Sequence, residues 1–197
     1  ILYAACMTRP DIAYHASFLC QYMSDPSPAC VEAALGVLAY LQKTKDMTLT
    51  YGGKIQLTAA QIDMGFDAET FEQSLGLHMY FDSSWNKVPR PFSGHVVMFQ
   101  NAAVSWSSRK LKLIPQSSAE AETACGSTAC KDLQFVRFVV NDLAGPQPLL
   151  RLPIPVVTDN EATALGVRNP GATARTRHYE RWLFYLRELY MEKVVSI

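Results

Sequence analysis

The hydrophobic pattern changes near residue 77, and this change limits the folds that the chain can adopt. Three short runs typical of β-strands follow it, LHMYFDSSW, SGHVVMFQ and AVSWSSRK, and their short connections predict an antiparallel meander. Next come a helix over 118–143, an apolar strand in LPIPVVTDN, helices over 161–168 and 178–192, and a final strand, VVSI. This order predicts an α/β domain with a mixed sheet flanked by helices.

The segment before this change has a helical pattern. Ser27 followed by Pro28 predicts a helix start. Apolar residues then recur at helical spacing, namely Val31, Ala34, Leu35, Leu38 and Leu41. Residues 54–76 mix acidic and apolar side chains without a clear period, so we predict a linker or insertion there. The sequence thus predicts a small helical segment over 1–53, a linker, and the α/β domain over 77–197.

The composition is that of a folded protein without a strong net charge. The 197 residues include 18 Lys and Arg and 18 Asp and Glu, so a nucleic-acid partner would have to bind through local patches. The five cysteines lack zinc-ligand spacing, which predicts reduced thiols in an intracellular protein. No apolar run approaches the roughly 20 residues of a membrane span. Because the chain begins without Met and stops within an apolar run, we expect it to be a C-terminally truncated piece.

Two acidic residues follow the predicted strands. Asp82 stands at the end of the first strand, and Asp159 at the end of the strand after the long helix. Ligand sites gather at strand ends in open α/β sheets. Each acid also has a structural explanation, because Asp82 would suit a turn and Asp159 would suit the N-cap of the next helix. Taken alone, neither position discriminates between structure and function.

The long helix contributes a third candidate acid. Ser117 and Glu120 form an S-x-x-E capping box, which accounts for Glu120 and predicts that it lies on a polar helix face. Glu122 instead shares the predicted apolar stripe of Cys125, Ala129 and Leu133. A buried carboxylate costs several kcal/mol unless a cation or hydrogen-bond donors compensate it. Glu122 is therefore expected to face a metal ion or a second acid.

Three acids that converge from two strand ends and a helix suit a divalent cation. Carboxylate oxygens are preferred ligands of Mg²⁺ and Mn²⁺, and two such ions about 4 Å apart serve in-line displacement at phosphate. Other catalytic patterns are absent from the sequence, including GxSxG, GxxxxGK[ST], HExxH and GxGxxG. Its four histidines are scattered and are expected to be packing or surface residues.

The motifs together resemble a known family. YFDSSW, AVSWSSRK, SSAEAE, VVTDN followed by a short helix, NP, and RTRH before an amphipathic helix ending in RE occur in the order of the ribonuclease H region of copia-type retrotransposon Pol polyproteins. Residues 1–53, with TRPDIAY and TKD before YGG, resemble the thumb and connecting helices at the end of the preceding reverse transcriptase. The resemblance covers nearly the whole chain and is weak only over about 54–76.

The resemblance implies a ribonuclease H fold and cleavage of the RNA strand of RNA/DNA hybrids with two Mg²⁺ ions. It places catalytic and metal-binding roles on Asp82, Glu122 and Asp159. It also implies partnership with the rest of Pol, including the reverse transcriptase palm and fingers, and a location in a cytoplasmic virus-like particle or the nucleus, without a membrane. The sequence lacks a YxDD pair, which excludes polymerisation by this chain alone.

Substrate contacts are expected from local polar groups. These are Ser107, Arg109 and Lys110 at the end of the third strand, Asn160 beside Asp159, and Arg175, Arg177 and His178 before a helix. A solvated basic loop and a helix cap are the structural alternatives.

Two other functions remain open at this stage. An integrase or transposase has a related fold, but its acids follow the order Asp, Asp, Glu, whereas the order here is Asp, Glu, Asp. A domesticated fragment that binds nucleic acid or protein without cleavage is the second alternative, because the family's fourth acid lies beyond Ile197. Glu180, in the first turn of a predicted helix, is expected to complement the helix dipole.

Overall fold

The sheet has five strands and mixed topology. The computed structural model describes residues 1–85, 90–169, 171 and 179–197. Within them the sheet consists of β1 (His78–Ser83), β2 (Phe92–Phe99), β3 (Ala102–Lys110), β4 (Ile154–Val157) and β5 (Val195–Ser196), in the order β3-β2-β1-β4-β5. Strands β1 to β3 are antiparallel, whereas β4 is parallel to β1 and β5 to β4. The predicted mixed sheet and antiparallel meander are confirmed.

The turn between β2 and β3 follows from two residues with a left-handed backbone. Gln100 and Asn101 have φ angles of 47° and 72°. Two such residues in succession are typical of the type I′ turn, whose twist matches that of the strands it joins. The side-chain amide of Asn101 also donates to the carbonyl of Gly52, at 3.0 Å. The hairpin is therefore joined to the segment that precedes the sheet.

The core lies between one face of the sheet and a layer of helices. Helix α6 (Ser118–Ala144) begins at the Ser117 cap and buries the predicted stripe of Cys125, Ala129 and Leu133. Helices α7 (Glu161–Arg168) and α8 (Glu180–Met191) pack beside it. Helix α8 contributes the buried Leu183, Leu186 and Leu189 to this core, and Glu180 occupies the first turn of the helix. The predicted start of α8 at His178 lies outside the described residues.

The N-terminal helices cover part of the opposite sheet face. They are α1 (Leu2–Met7), a 3-10 turn (Pro10–Ile12), α2 (Ala13–Cys20) and α3 (Pro28–Lys43). The indole N–H of Trp106 donates to the carbonyl of Ala5, at 2.6 Å. Trp106 pairs with Val96 on β2, whereas the neighbouring Val97 packs in the core against α6. Because side chains alternate along a strand, α1 and α2 lie on the face away from α6.

The predicted start of α3 is confirmed, but its predicted apolar spacing matches the packed face only at Ala34 and Leu41, which are half-buried. The Ser27 hydroxyl accepts a hydrogen bond from the N–H of Cys30, as expected of an N-cap. However, Val31, Leu35 and Leu38 are exposed, and the helix buries Val37 instead. Most faces of α3 carry apolar residues, so spacing alone does not select the face that packs.

Residues 54–76, predicted to be a linker or insertion, contain two short helices. They are α4 (Ala59–Asp63), which begins with a capping box between Thr58 and Gln61, and α5 (Ala68–Gln73), capped by Asp67. Phe71 is buried, and the Gln61 amide donates to the Tyr80 hydroxyl on β1, at 3.2 Å. Helices this short show little periodicity, which explains why the pattern was missed. The division of the chain into separate domains stays a prediction.

The close packing of α6 on β1 predicts a specific sensitivity at Gly126. A Cβ at this position would lie 2.8 Å from the Phe81 ring, whereas one at the exposed Gly36 of α3 would meet nothing within 4 Å. We expect Gly126→Ala to lower the free energy of unfolding, because overpacking costs about 1–3 kcal/mol and exceeds the gain in helix propensity. Gly36→Ala, the matched control, is expected to raise stability by about 0.5–1 kcal/mol. Urea unfolding measures both, and equal effects would contradict this packing.

Candidate active site

Asp82 lies within β1 rather than in a turn. It pairs with Gly94 of β2 and is exposed, while Phe81 beside it is buried. On its other side β1 has a neighbour only as far as Tyr80, which pairs with Val157 at the end of β4. Asp82 therefore stands two residues beyond the last paired position, where the gap beside β1 admits side chains from other elements. The turn explanation for Asp82 does not hold.

Asp159 follows β4 and does not cap the helix after it. The N-cap of α7 is Asn160, whose side-chain oxygen accepts a hydrogen bond from the N–H of Thr163, at 2.9 Å. Asn160 rather than Asp159 therefore caps α7, so a capping role does not explain Asp159. Asn160 has a sufficient role as a cap, and its predicted contact with substrate stays a prediction.

Glu122 is buried, and its carboxylate accepts hydrogen bonds from the end of β1 and from the residue that follows β4. One carboxylate oxygen accepts from the backbone N–H of Ser83, at 2.7 Å, and the other accepts from the Thr158 hydroxyl, at 3.4 Å. Glu120 instead accepts from the backbone N–H of Gln116, at 2.5 Å, while its own N–H donates to the Ser117 hydroxyl. The Ser117 half of the predicted capping box is therefore present, whereas the Glu120 carboxylate bonds the residue before the cap, and Glu122 contacts the strand ends.

The face of α6 that carries Glu120 is not solvated as predicted. Glu120, Thr123 and Ser127 are all buried. The N-terminal half of α6 lies against the sheet on one side and against α7 and α8 on the other. The hydroxyl of Thr123 donates to the carbonyl of Ala119 one turn earlier, at 2.6 Å, so this polar group is satisfied within the helix.

The three acids converge on one point. One carboxylate oxygen each from Asp82, Glu122 and Asp159 lies within 4.8 Å of the others. Burial, together with the neighbouring Asp82 and Asp159, raises the pKa of Glu122 to about 8, against the lowering effect of the Ser83 N–H. The site thus combines oxygen ligands with an uncompensated negative charge. This donor set fits a hard divalent cation such as Mg²⁺ or Mn²⁺.

A cleft of about 730 Å³ opens beside Asp82 and Asp159. The sheet forms its floor, and Asp11 and Tyr14 from the N-terminal helices and Met64 from the 54–76 segment contribute to its walls. Sequence reasoning missed these wall residues, because it assigned them to a separate segment and a linker. The spacing of aromatic residues along α2 was the available signal.

The predicted substrate-binding residues are only partly described. Ser107 lines the cleft, and Arg109 and Lys110 are exposed at the end of β3. Ser108, beside them, is level with Asp82 two strands away, a separation of roughly 10 Å at ordinary strand spacing. Arg175, Arg177 and His178 lie outside the described residues. The contacts of all these residues with a substrate stay predictions.

Two of the four histidines have structural roles. His78 is buried, with Nδ1 2.8 Å from the carbonyl of Gly76 and Nε2 3.2 Å from the Gln61 amide. His95 is buried and contacts the Asp132 carboxylate on α6, at 2.8 Å. Burial lowers the pKa of both imidazoles.

Helices in the described part of the chain are too short or too polar to cross a lipid bilayer.

The fold and the acids define the class of protein as an α/β protein with a carboxylate centre at the edge of a mixed sheet. Comparisons with known proteins identify the family. The chain is 32% identical over 137 residues to a transposon Ty5-1 protein of Saccharomyces cerevisiae, which covers 68% of this chain and 39% of that protein. It is 23% identical over 199 residues to the retrovirus-related Pol polyprotein from transposon TNT 1-94 of Nicotiana tabacum, which covers 100% of this chain and 13% of that protein.

A third relative is the secreted RxLR effector protein 161 of Plasmopara viticola, with 32% identity over 135 residues, 67% of this chain and 82% of that protein. Similar solved structures include LC11-RNase H1 isolated from compost, with 15% identity, a TM-score of 0.44, and coverage of 61% of this chain and 80% of that one. No family model matches. The chain belongs to the copia-type retrotransposon Pol family, as the sequence predicted. It spans well under half the length of the Ty5-1 and TNT 1-94 relatives.

The acidic cluster predicts stabilisation by divalent cations. Mg²⁺ or Mn²⁺ bound at these acids would stabilise the folded state, so we expect added metal to raise the melting temperature in a concentration-dependent way. Asp82→Asn and Asp159→Asn are expected to abolish most of this shift, because each removes a charged ligand. Glu161→Gln, which removes an exposed acid outside the cluster, is the matched control. Thermal unfolding with EDTA and with added metal measures the effect, and an equal shift in all variants would contradict a cation site.

The buried carboxylate also predicts a pH effect on the metal-free protein. The pKa of Glu122 rises from 4.5 to about 8 on folding, so its contribution to stability is present below pH 4.5 and is lost as the pH rises to 8. We expect Glu122→Gln to lack this loss, so that the variant gains stability relative to wild type between pH 5 and 8. Unfolding in EDTA across this range measures the difference in free energy of unfolding between the variant and wild type. The contributions of the histidines, which both proteins share, cancel in this difference. A constant difference would contradict the raised pKa.

Proposed function

We propose that this chain provides the ribonuclease H activity of a retrotransposon Pol polyprotein and cuts the RNA strand of RNA/DNA hybrids. The observation that supports this proposal is the convergence of Asp82, Glu122 and Asp159 within 4.8 Å in a member of this family. The order Asp, Glu, Asp along the chain favours a ribonuclease over an integrase. Residues 77–197 would form the nuclease domain, residues 54–76 would connect it, and residues 1–53 would be the end of the reverse transcriptase.

The three acids would hold two Mg²⁺ ions, with Mn²⁺ as a substitute. Bound there, the ions would lower the pKa of a water molecule and offset charge on the leaving oxygen. Asp82 and Asp159 are exposed at the cleft and can reach both a cation and an approaching phosphate. Glu122 is oriented from behind, because the Ser83 N–H and the Thr158 hydroxyl fix its two oxygens. Its position is therefore set before any substrate binds.

Hydrogen bonds from residues beside the three acids hold the ends of β1 and β4 in place. The Thr158 hydroxyl, which donates to Glu122, accepts a hydrogen bond from the N–H of Asn160, at 3.2 Å. The Cys125 thiol donates to the carbonyl of Asp82, at 3.2 Å, and burial raises the pKa of this thiol to about 12. A thiol that stays protonated is a donor rather than a nucleophile. Cys125 would therefore support the backbone of Asp82 without taking part in chemistry.

Substrate recognition would rest on the shape of the hybrid. A helix with one RNA strand presents 2′-hydroxyl groups in a wide minor groove, and base edges contribute little. Ser107, Arg109, Lys110, Asn160, Arg175, Arg177 and His178 would contact phosphates or sugars. The remaining parts of Pol, including the reverse transcriptase palm and fingers, would deliver the hybrid in an intracellular virus-like particle or the nucleus.

Cleavage of a labelled hybrid tests the proposal. Loss of a residue that only hydrogen-bonds a metal ligand lowers metal affinity or activity by about 10–100-fold. Asp82→Asn removes a proposed ligand itself, so we expect it to lower the cleavage rate at least about a hundredfold. Glu161→Gln should retain the wild-type rate. The assay compares hybrid, double-stranded RNA and single-stranded DNA with Mg²⁺, for this chain and for a longer Pol chain that extends past Ile197. Equal rates for wild type and Asp82→Asn, or no cleavage by the longer chain, would overturn the proposal.

A further inference from the structure

Four aromatic side chains form a continuous strip on the surface beside the acids. Tyr14, Phe18 and Tyr22 recur at intervals of four along and just beyond α2, and Phe92 begins β2. Ring centroids are 6.3 Å apart for Tyr14 and Phe18, 5.4 Å for Phe18 and Tyr22, and 5.1 Å for Tyr14 and Phe92. We call these four residues the aromatic strip.

The aromatic strip does more than hold α2 on the sheet. Tyr14 is 49% exposed, Phe18 39% and Tyr22 42%, although α2 buries Ala16 on another side. Tyr14 and Phe18 use part of their surface to contact Phe92, and Tyr22 contacts Phe18. The remaining ring surface faces solvent as a row of stacking surfaces. Packing alone would not require three such rings in sequence to stay exposed.

The aromatic strip continues into the candidate active site. Tyr14 and Phe92 line the same cleft as Asp82 and Asp159. The N–H of Ser84, two residues after Asp82, donates to the carbonyl of Phe92, at 2.9 Å. A strand that passes the acids can therefore run directly onto the rings without leaving the protein surface.

Positive charge accompanies the rings. Lys110 pairs with Phe92 across the sheet, so its side chain leaves the sheet on the same face as the rings. The Lys110 ammonium donates to the side-chain oxygen of Gln21, at 3.0 Å, next to Tyr22 in sequence. Asp11, another acid that lines the cleft, is paired with Arg9 through contacts of 2.9 and 2.6 Å. Lys110 thus borders the aromatic strip, and the charge of Asp11 is compensated by Arg9.

We propose that the aromatic strip binds a single-stranded RNA extension of the strand that is cut. Exposed rings bordered by cations are the combination that binds single strands, because every base has a face to stack and every phosphate a charge. RNA is assigned, rather than DNA, because the strand that meets the acids is the one that can continue onto the rings. This inference rests on the proposed ribonuclease function and adds a second binding region to it.

Binding of matched hybrids tests the proposal. Fluorescence anisotropy in EDTA compares a blunt hybrid with the same hybrid carrying a single-stranded RNA extension of about eight nucleotides at either end. We expect the extension to tighten binding by about tenfold, from stacking on at least one ring. The double variant Phe18→Leu/Tyr22→Leu, which leaves the cleft-lining Tyr14 unchanged, should lose this gain and keep its affinity for the blunt hybrid. Phe138→Leu, which replaces an exposed ring on α6, should keep the gain.

Two further measurements guard against misfolding and against a failed nuclease proposal. Tyr22→Leu changes the exposed ring beyond the end of α2 and should weaken the gain with an unchanged melting temperature. Cleavage of the blunt hybrid, measured in parallel, reports on the acids independently of the rings. No gain in the wild type, a full gain in folded double and Tyr22→Leu variants, or an equal gain from a DNA extension would overturn the proposal.

Discussion

The hydrogen bond from the Ser83 N–H to the Glu122 carboxylate joins the core of the domain to its acidic centre. A glutamate side chain can reach a strand amide only if its helix lies close to that strand. Gly126, one turn after Glu122, permits this approach, because a Cβ there would lie 2.8 Å from the Phe81 ring. The packing that buries Phe81 against α6 therefore also sets the position of Glu122. Core geometry and site geometry depend on the same contact.

The same contact places a charge where packing alone would favour an apolar residue. Glu122 continues the stripe of Cys125, Ala129 and Leu133, all of them buried. Burial raises its pKa, and the nearby Asp82 and Asp159 add like charge. Functional sites are where one residue is expected to depart from the burial pattern of an otherwise regular helix. Burying an acid at Glu122 costs stability unless a cation compensates it, and this is the reason to propose Glu122 as a metal ligand.

The sequence predicted the parts of the molecule in which local pattern and tertiary packing agree. The five strands, α6 and α7 follow from strong periodicity, and Glu122 was separated from Glu120 because a capping box explained only one of them. The pattern failed where packing decides between equivalent faces. Val31, Leu35 and Leu38 have the spacing of a core stripe and are exposed, and Thr123 and Ser127 are polar and buried. The two helices within 54–76 were missed because five or six residues carry too little periodicity, although the Thr58–Gln61 capping box was visible.

The acids meet where the two layers around the sheet come to an end. Glu122 approaches from the α6 layer, whereas Asp82 alternates with Phe81 and belongs to the opposite face. They can converge because β4 stops at the level of Tyr80 and leaves β1 unpaired on that side. The opposite face is covered by α2 over β2 and β3 and by Gln61 and Phe66 against Tyr80, so its open part is the cleft that ends at Asp82. Elements from the whole chain, including the first 20 residues, therefore shape access to a centre whose acids come from residues 82 to 159.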